Sequence, residues 1–213
     1  MSGFATFADM RIRGTARRAI VLSAAAVLGA GLVTGCTPDP PTTAEPTVSG
    51  TRSTAAPSPS ASPTVNVRVK PERPDAWDDV SVDGAIAVAE YFLQLYPYSY
   101  ATGDVDAWQS LSHPECVFCA DVNENIHDMF MAAHRAEGGS VSFASTSGRE
   151  VTQGELFSID LQMTQAPSRV IDANSAEVEG WSTEKTYDVN VLVLRDGDRW
   201  QVRGIETHET PAS

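Results

Sequence analysis

The sequence predicts an α+β domain, with N-terminal helices packed on one face of a curved antiparallel sheet, carried behind a signal peptide and a disordered tether. Three observations predict it. Apolar residues recur at helical spacing through the first half of residues 75–213, and they alternate with a period of two through the second half. The preceding residues, 37–74, hold nine of the 13 prolines. A stretch of about 140 residues is one domain of ordinary size with room for a core.

The elements follow in chain order. Arg11, Arg13, Arg17 and Arg18 lead into "AIVLSAAAVLGAGLV", uncharged from Ala19 to Val33. A basic leader before an apolar run is a secretory signal, and about fifteen residues fall short of the roughly 20 that span a bilayer. A start at Met10 gives a cleaner basic leader, "MRIRGTARRA", than one that includes Asp9. The run ends in "LVTGC", Leu32 to Cys36, which resembles the bacterial lipobox: apolar Val33, small Thr34 and Gly35, then the cysteine. The resemblance implies cleavage of residues 1–35, acylation of Cys36 and a lipid anchor on the extracytoplasmic face of the cytoplasmic membrane. Two acyl chains, at about 0.8 kcal/mol per buried CH₂, suffice to hold it there. An ordinary secretory signal would instead leave an extracytoplasmic thiol to explain.

From Cys36 to Pro74 the chain is Pro, Ser, Thr and Ala almost throughout, as in "AAPSPSASPT". Such a composition cannot bury enough apolar surface to offset its ordering entropy, which predicts a partly polyproline tether over 36–74. Its reach lies between roughly 35 Å as a coil and about 115 Å fully extended. The domain is expected to stand off the membrane.

In "VDGAIAVAEYFLQLY" the residues Ala85, Ala89, Phe92 and Tyr96 share a stripe widened by Ile86 and Leu93, the pattern of a helix on a core. Ser81 is the expected N-cap, with Asp83 against the dipole. Pro97 disfavours helical geometry at Tyr96, which predicts an end or a kink there. "TGD" is then a turn, with Asp104 capping a short helix "VDAWQSLS". A third helix is expected through "ADVNENIHDMFMAAHRAEGG", with Val122, Ile126, Met129 or Phe130 and Ala133 inward, stopped by Gly138 and Gly139. "LFSIDLQMT" then alternates, Phe157, Ile159, Leu161 and Met163 against Ser158, Asp160 and Gln162. "TYDVNVLVLRDGDRWQVRGIET" reads as a hairpin turned at "DGD". Weaker strands are expected in "SVSFASTS" and "SAEVEGW".

Helices first and strands after, with a Gly-Asp before the short helix in "YSYATGDVDAWQSLS" and the closing "LRDGDRWQVRGIE" hairpin, resembles the nuclear-transport-factor-2-like superfamily of cone-shaped α+β domains. With the lipobox, the tether and "HPECVFC", the chain looks like a group of actinobacterial envelope lipoproteins whose domain has no established function. The resemblance implies two kinds of role. One is a non-catalytic module that binds an envelope protein or a small ligand. The other is a small-molecule enzyme of the cyclase or isomerase type, with its pocket in the mouth of the cone.

An isomerase would need a base inside the cone and a donor to hold an enolate oxygen. Asp160 and Asp188 lie mid-strand but opposite the apolar faces, so the alternation puts both outside, and the non-catalytic reading is preferred. No glycine loop for nucleotides, serine-triad motif or histidine-glutamate zinc motif is visible, and no cofactor is expected. Residues 75–213 carry seven basic against 24 acidic residues, a formal −17, which argues against nucleic acid and against adhesion to an anionic membrane face.

"HPECVFC", His113 to Cys119, admits three readings: a redox centre, half a metal site or a staple. Outside the cytoplasm thiols are oxidised, so with Cys36 acylated, Cys116 and Cys119 are expected to form a disulfide with each other. A four-residue ring contributes only about 2 kcal/mol and mainly fixes the turn that starts the third helix. A thioredoxin-like site would need a strand before the first cysteine, and Glu115 opposes a thiolate. His127 and His134 lie about 10 Å apart along a helix, too far to share one zinc, and no metal is expected.

"YPYSY" supplies the remaining candidates. Tyrosine suits a helix end over a core, the preferred reading, and equally an exposed recognition surface. On the second reading Tyr98, Tyr100, Asp104 and Asp106 would form part of a binding surface.

Overall fold

Trp200, near the C-terminus, donates its indole N–H to the carbonyl of Trp77 at 2.6 Å, tying the last strand to the short turn before the first helix. Between them lies a mixed α+β domain in the computed structural model, which describes residues 65–211. The expected signal peptide, Cys36 and the tether up to residue 64 lie outside the described residues.

The helices are α1 (Val82–Thr102), α2 (Asp106–Leu111) and α3 (Val117–Met131), after a short 3-10 turn at Asp75–Asp78. The strands are β1 (Arg135–Gly138), β2 (Val141–Thr152), β3 (Leu156–Gln165), β4 (Ser168–Ile171), β5 (Glu177–Trp181), β6 (Lys185–Asp196) and β7 (Arg199–Glu209). They form a four-stranded sheet in the order β2-β3-β6-β7 and a three-stranded sheet in the order β1-β4-β5. Every strand pairing within the two sheets is antiparallel.

Ser81 caps α1 as expected, its hydroxyl accepting the Gly84 amide at 3.2 Å. The helix does not end at Tyr96. It runs through Pro97 to Thr102. A proline inside a helix removes one hydrogen bond and costs about 3 kcal/mol. That cost is offset by what the last turn buries: Tyr100 is fully buried and Ala101 nearly so, and each large apolar side chain contributes roughly 1.5–3 kcal/mol. Gly103 ends the helix in the left-handed region at φ 76°, its amide donating to Ser99 O at 2.8 Å. A Cβ there would also lie 2.9 Å from the ring of Phe130.

The third helix corrects the expectation at both ends. It starts at Val117, with Cys116 as N-cap, and stops at Met131, well before Gly138 and Gly139. Its stop is built without glycine. Ala133 takes φ 57°, its amide donates to Phe130 O at 2.9 Å, and that of His134 donates to Met129 O at 3.0 Å. This is the paired closure of a Schellman motif, with alanine where glycine is usual. Residues 135–138, expected to end a helix, form β1 instead.

The expected alternation holds for the apolar residues of the sheet, while Ser158, expected outside, is also buried and accepts from Asn190 Nδ2 at 2.9 Å. Phe157, Ile159, Leu161 and Met163 of β3 and Tyr187, Val189, Val191 and Val193 of β6 are all buried. In register, Ile159 faces Val191 and Leu161 faces Val189. These residues meet α1, α2 and α3 in one core. Trp108 of α2 is fully buried, stacks on Phe92 at 4.0 Å, and donates its indole N–H to Cys119 O at 3.1 Å.

Composition suggests that the domain begins near residue 75, and the described chain begins ten residues earlier, at Val65. The physical reason lies in "VNVRVKPER", residues 65–73, which has three alternating valines and no serine or threonine. Averaged with the Pro/Ser/Thr run before it, that signal disappears.

Candidate functional site

The interior between α1 and the four-stranded sheet is filled. Phe92, Tyr96, Tyr100, Trp108, Phe157 and Tyr187 are all fully buried within it. Three hollows are described outside that core.

The first lies between residues 65–71, α1 and the start of β2. It encloses about 470 Å³, and its walls include Val67, Val69, Pro71, Pro97, Tyr98 and Val141. The sequence offers Tyr98, Tyr100, Asp104 and Asp106 as part of a binding surface, second to a helix end over the core, and the structure divides them. Tyr100 faces the core, its ring 4.8 Å from that of Tyr96, and is withdrawn from any surface. The cause is helical continuation through Pro97, which turns residue 100 onto the same face as residue 96.

Tyr98 and Asp104 are brought together. The Tyr98 ring is 9 % exposed, and its hydroxyl donates to Asp104 Oδ2 at 2.6 Å. The other oxygen, Oδ1, accepts the Asp106 amide at 3.1 Å, so Asp104 caps α2 from one residue outside its N-cap position. Asp106 contributes that amide, while its side chain is exposed. Lys70 approaches Asp104 Oδ2 at 3.4 Å and lies 5.9 Å over the Tyr98 ring.

These contacts set the charges. The Tyr98 hydroxyl, first, and the Asp106 amide, second, hold the Asp104 carboxyl below its usual range. The same hydrogen bond to Asp104, with burial, pushes the Tyr98 phenol up. For Lys70, burial works against the charged form, but the hydrogen bond and attraction of Asp104 outweigh it and its pKa is raised. The cluster therefore holds an ion pair with a neutral phenol beside it at neutral pH. Composition hid Lys70, which lies within the expected tether.

The second hollow is a polar trough of about 490 Å³ on the outer face of the four-stranded sheet. It contains the two carboxylates considered for an enzyme. Asp160 accepts from Asn190 Nδ2 at 2.7 Å and pairs with Arg149 at 3.5 Å. Asp188 accepts from Gln162 Nε2 at 3.5 Å. Both point away from the core, as the strand alternation predicts. The third hollow lies on the three-stranded sheet, where Arg169 sits between Glu137 at 2.9 Å and Glu177 at 3.9 Å, beside Trp181.

Cys116 and Cys119 are joined by a disulfide with a Cα–Cα distance of 5.2 Å, and both are buried. Cys116 Sγ accepts the Cys119 amide at 3.2 Å at the first turn of α3. Glu115 pairs with Arg203 of β7, and His113 Nδ1 accepts the Glu115 amide at 3.1 Å. Among the described residues no group of three or more His, Cys, Asp or Glu side chains is placed to hold a metal ion, and no helix is long and apolar enough to cross a membrane.

A sequence profile matches residues 54–206, from ahead of the first described residue into β7. The chain belongs to the family of unknown function DUF6318. No curated protein matches it significantly. Among solved structures, the DUF6318 domain is similar to the intermembrane space region of the chloroplast protein ARC6, at 7 % identity and a TM-score of 0.46, over 59 % of this chain and 97 % of that one. It is also similar to an uncharacterised protein with a cystatin-like fold from Caulobacter vibrioides, at 7 % identity, TM-score 0.38, over 60 % and 90 %. A third is a putative calcium/calmodulin dependent protein kinase II association domain from Xanthomonas campestris, at 9 % identity, TM-score 0.38, over 60 % and 89 %.

Proposed function

We propose that this chain is a lipid-anchored, non-catalytic binding module of the extracytoplasmic envelope, which takes an envelope protein in the groove beside Tyr98. The observation that carries this reading is the contrast between inside and outside. Large aromatic side chains occupy the interior where an enzyme of this shape would hold substrate, while an apolar-walled groove with Lys70 in its lining opens on the surface. Apolar walls with a few fixed polar groups are what binding sites share. The groove is lined by the same segment that leads back toward Cys36, through which acylation would hold the module at the membrane.

The test uses the full chain in the cells that make it, with a photo-crosslinking residue at Gln94 on the groove wall. The expected result is a discrete crosslinked envelope protein, lost in a folded Tyr98→Ala, Asp104→Ala double variant, together with acyl labelling that disappears in Cys36→Ala. Crosslinks unchanged by the double variant would remove the groove as the site.

A further inference from the structure

Lys70 stands where a ligand group would stand. Its ammonium meets a carboxylate at 3.4 Å and an aromatic face at 5.9 Å. Both partners are set by contacts that do not involve Lys70. Asp104 takes the Tyr98 hydroxyl on one oxygen and the Asp106 amide on the other, and its own amide donates to Thr102 Oγ1 at 3.2 Å. Tyr98 is packed at the end of α1 among buried neighbours. A fixed carboxylate beside a tyrosine face is an arrangement that recognises an ammonium group.

The segment that carries Lys70 is held far less firmly. The Lys70 side chain is 44 % exposed, and Val65 and Val69 are 63 % and 65 % exposed. Its internal hydrogen bonds are local, Val69 N to Asn66 O and Arg68 N to Asn66 Oδ1. Firm attachment begins only at Trp77, whose ring meets Tyr91 edge-on at 5.4 Å and whose carbonyl is held by Trp200. Exposed ion pairs are weak. Residues 65–71 are thus a strap whose one ion pair is reversible, with only Val67 and Pro71 half-buried beside it.

We propose that Tyr98 and Asp104 form a recognition subsite for the lysine side chain of a partner protein, and that Lys70 fills it in cis as a displaceable stand-in. This deepens the binding reading above and rests on the groove being its site. Charge complementarity supports the choice of partner: the domain is strongly acidic, and its other lysine, Lys185, is already paired with Glu209 at 3.1 Å. As the strap leaves, Pro97 and Val141 become available to the residues that flank the incoming lysine.

The probe is a fluorescein-labelled heptapeptide with the strap's own sequence, VNVRVKP, and an analogue carrying norleucine for lysine. Anisotropy is read with the full chain and with Lys70→Ala, an exposed change that does not threaten the fold. The expected result is binding to Lys70→Ala at least tenfold tighter than to the unchanged chain, with no such gain for the norleucine peptide. The gain should vanish when Asp104→Asn is added, and shrink as salt is raised. Equal affinities for the two chains, or a gain that survives the norleucine replacement, would overturn the proposal. Crosslinks that map a partner to the groove without any Lys70 dependence would leave the binding reading standing and remove this one. A lysine-dependent gain without a cellular crosslink would do the reverse.

Discussion

Two segments, one ahead of the helices and one between the second and third, are held in opposite ways. Residues 112–119 are fastened from the inside: the buried disulfide, the Trp108 indole on Cys119 O, and the His113 amide on Val202 O at 3.0 Å all converge there. Residues 65–73 are fastened from the outside, by Lys70 on Asp104 and by Arg73, which pairs with Asp78 at 3.2 Å and lies 4.3 Å over the Trp77 ring. The segment that looks most like chemistry in the sequence is a staple. The segment that looks like a mere tether forms a wall of the groove.

That contrast can be broken at its strongest point first. Trp108→Ala removes a fully buried indole that stacks on Phe92 and bonds to Cys119 O, and should cost about 3–5 kcal/mol in urea unfolding. A loss under about 1 kcal/mol would mean that the inner fastening is not what the packing indicates. Next, replacing Cys116 and Cys119 together by alanine should cost about 2 kcal/mol, the entropy of a short ring, with the fold retained. Circular dichroism of an unfolded chain would show that the staple does more than fix a turn.

The smallest stability effect belongs to the strap. Lys70→Ala should change global stability by less than about 1 kcal/mol, yet limited proteolysis within residues 65–73 should speed up severalfold. Acid should act in the same direction. The Asp104 carboxyl is depressed in the folded state, so its contribution is fully present above the unfolded carboxylate range and is lost as pH falls through the lower folded value. Strap cleavage by an acid-tolerant protease should therefore rise below about pH 4 in the unchanged chain and stay flat in Asp104→Asn. A rise of equal size in both would show that Asp104 is not the fastening.

Much of the fold was legible because alternation and helical spacing report burial directly. Phe157 to Met163 and Tyr187 to Val193 could hardly be read otherwise. The misses have local causes. β1 and β4 are four residues each, too short for a period of two to show. The continuation of α1 through Pro97 depends on burial of the following turn, which a rule about the residue before proline does not contain. Ala133 in the left-handed region carries no glycine to mark the end of α3. Of the candidate site, Tyr98 and Asp104 were found through their residue types, whereas the choice between core edge and surface for Tyr100 depended on that same continuation, and it falls to the preferred core-edge reading. Lys70 was invisible because its importance arises from a contact 34 residues away.

The indole of Trp200 and the carbonyl of Trp77 are 123 residues apart in the chain, which places this fastening of the strap's base at the end of biosynthesis. Contacts of such long sequence separation form late, since a large loop must close before they contribute. While the chain emerges N-terminus first, residues 65–71 leave the exit channel early, but the Trp77 carbonyl at their base has no indole donor until β7 follows. A copy that stalls or is cut before residue 200 would thus lack the indole that holds the Trp77 carbonyl, and its strap would hang from a base with one hydrogen bond fewer.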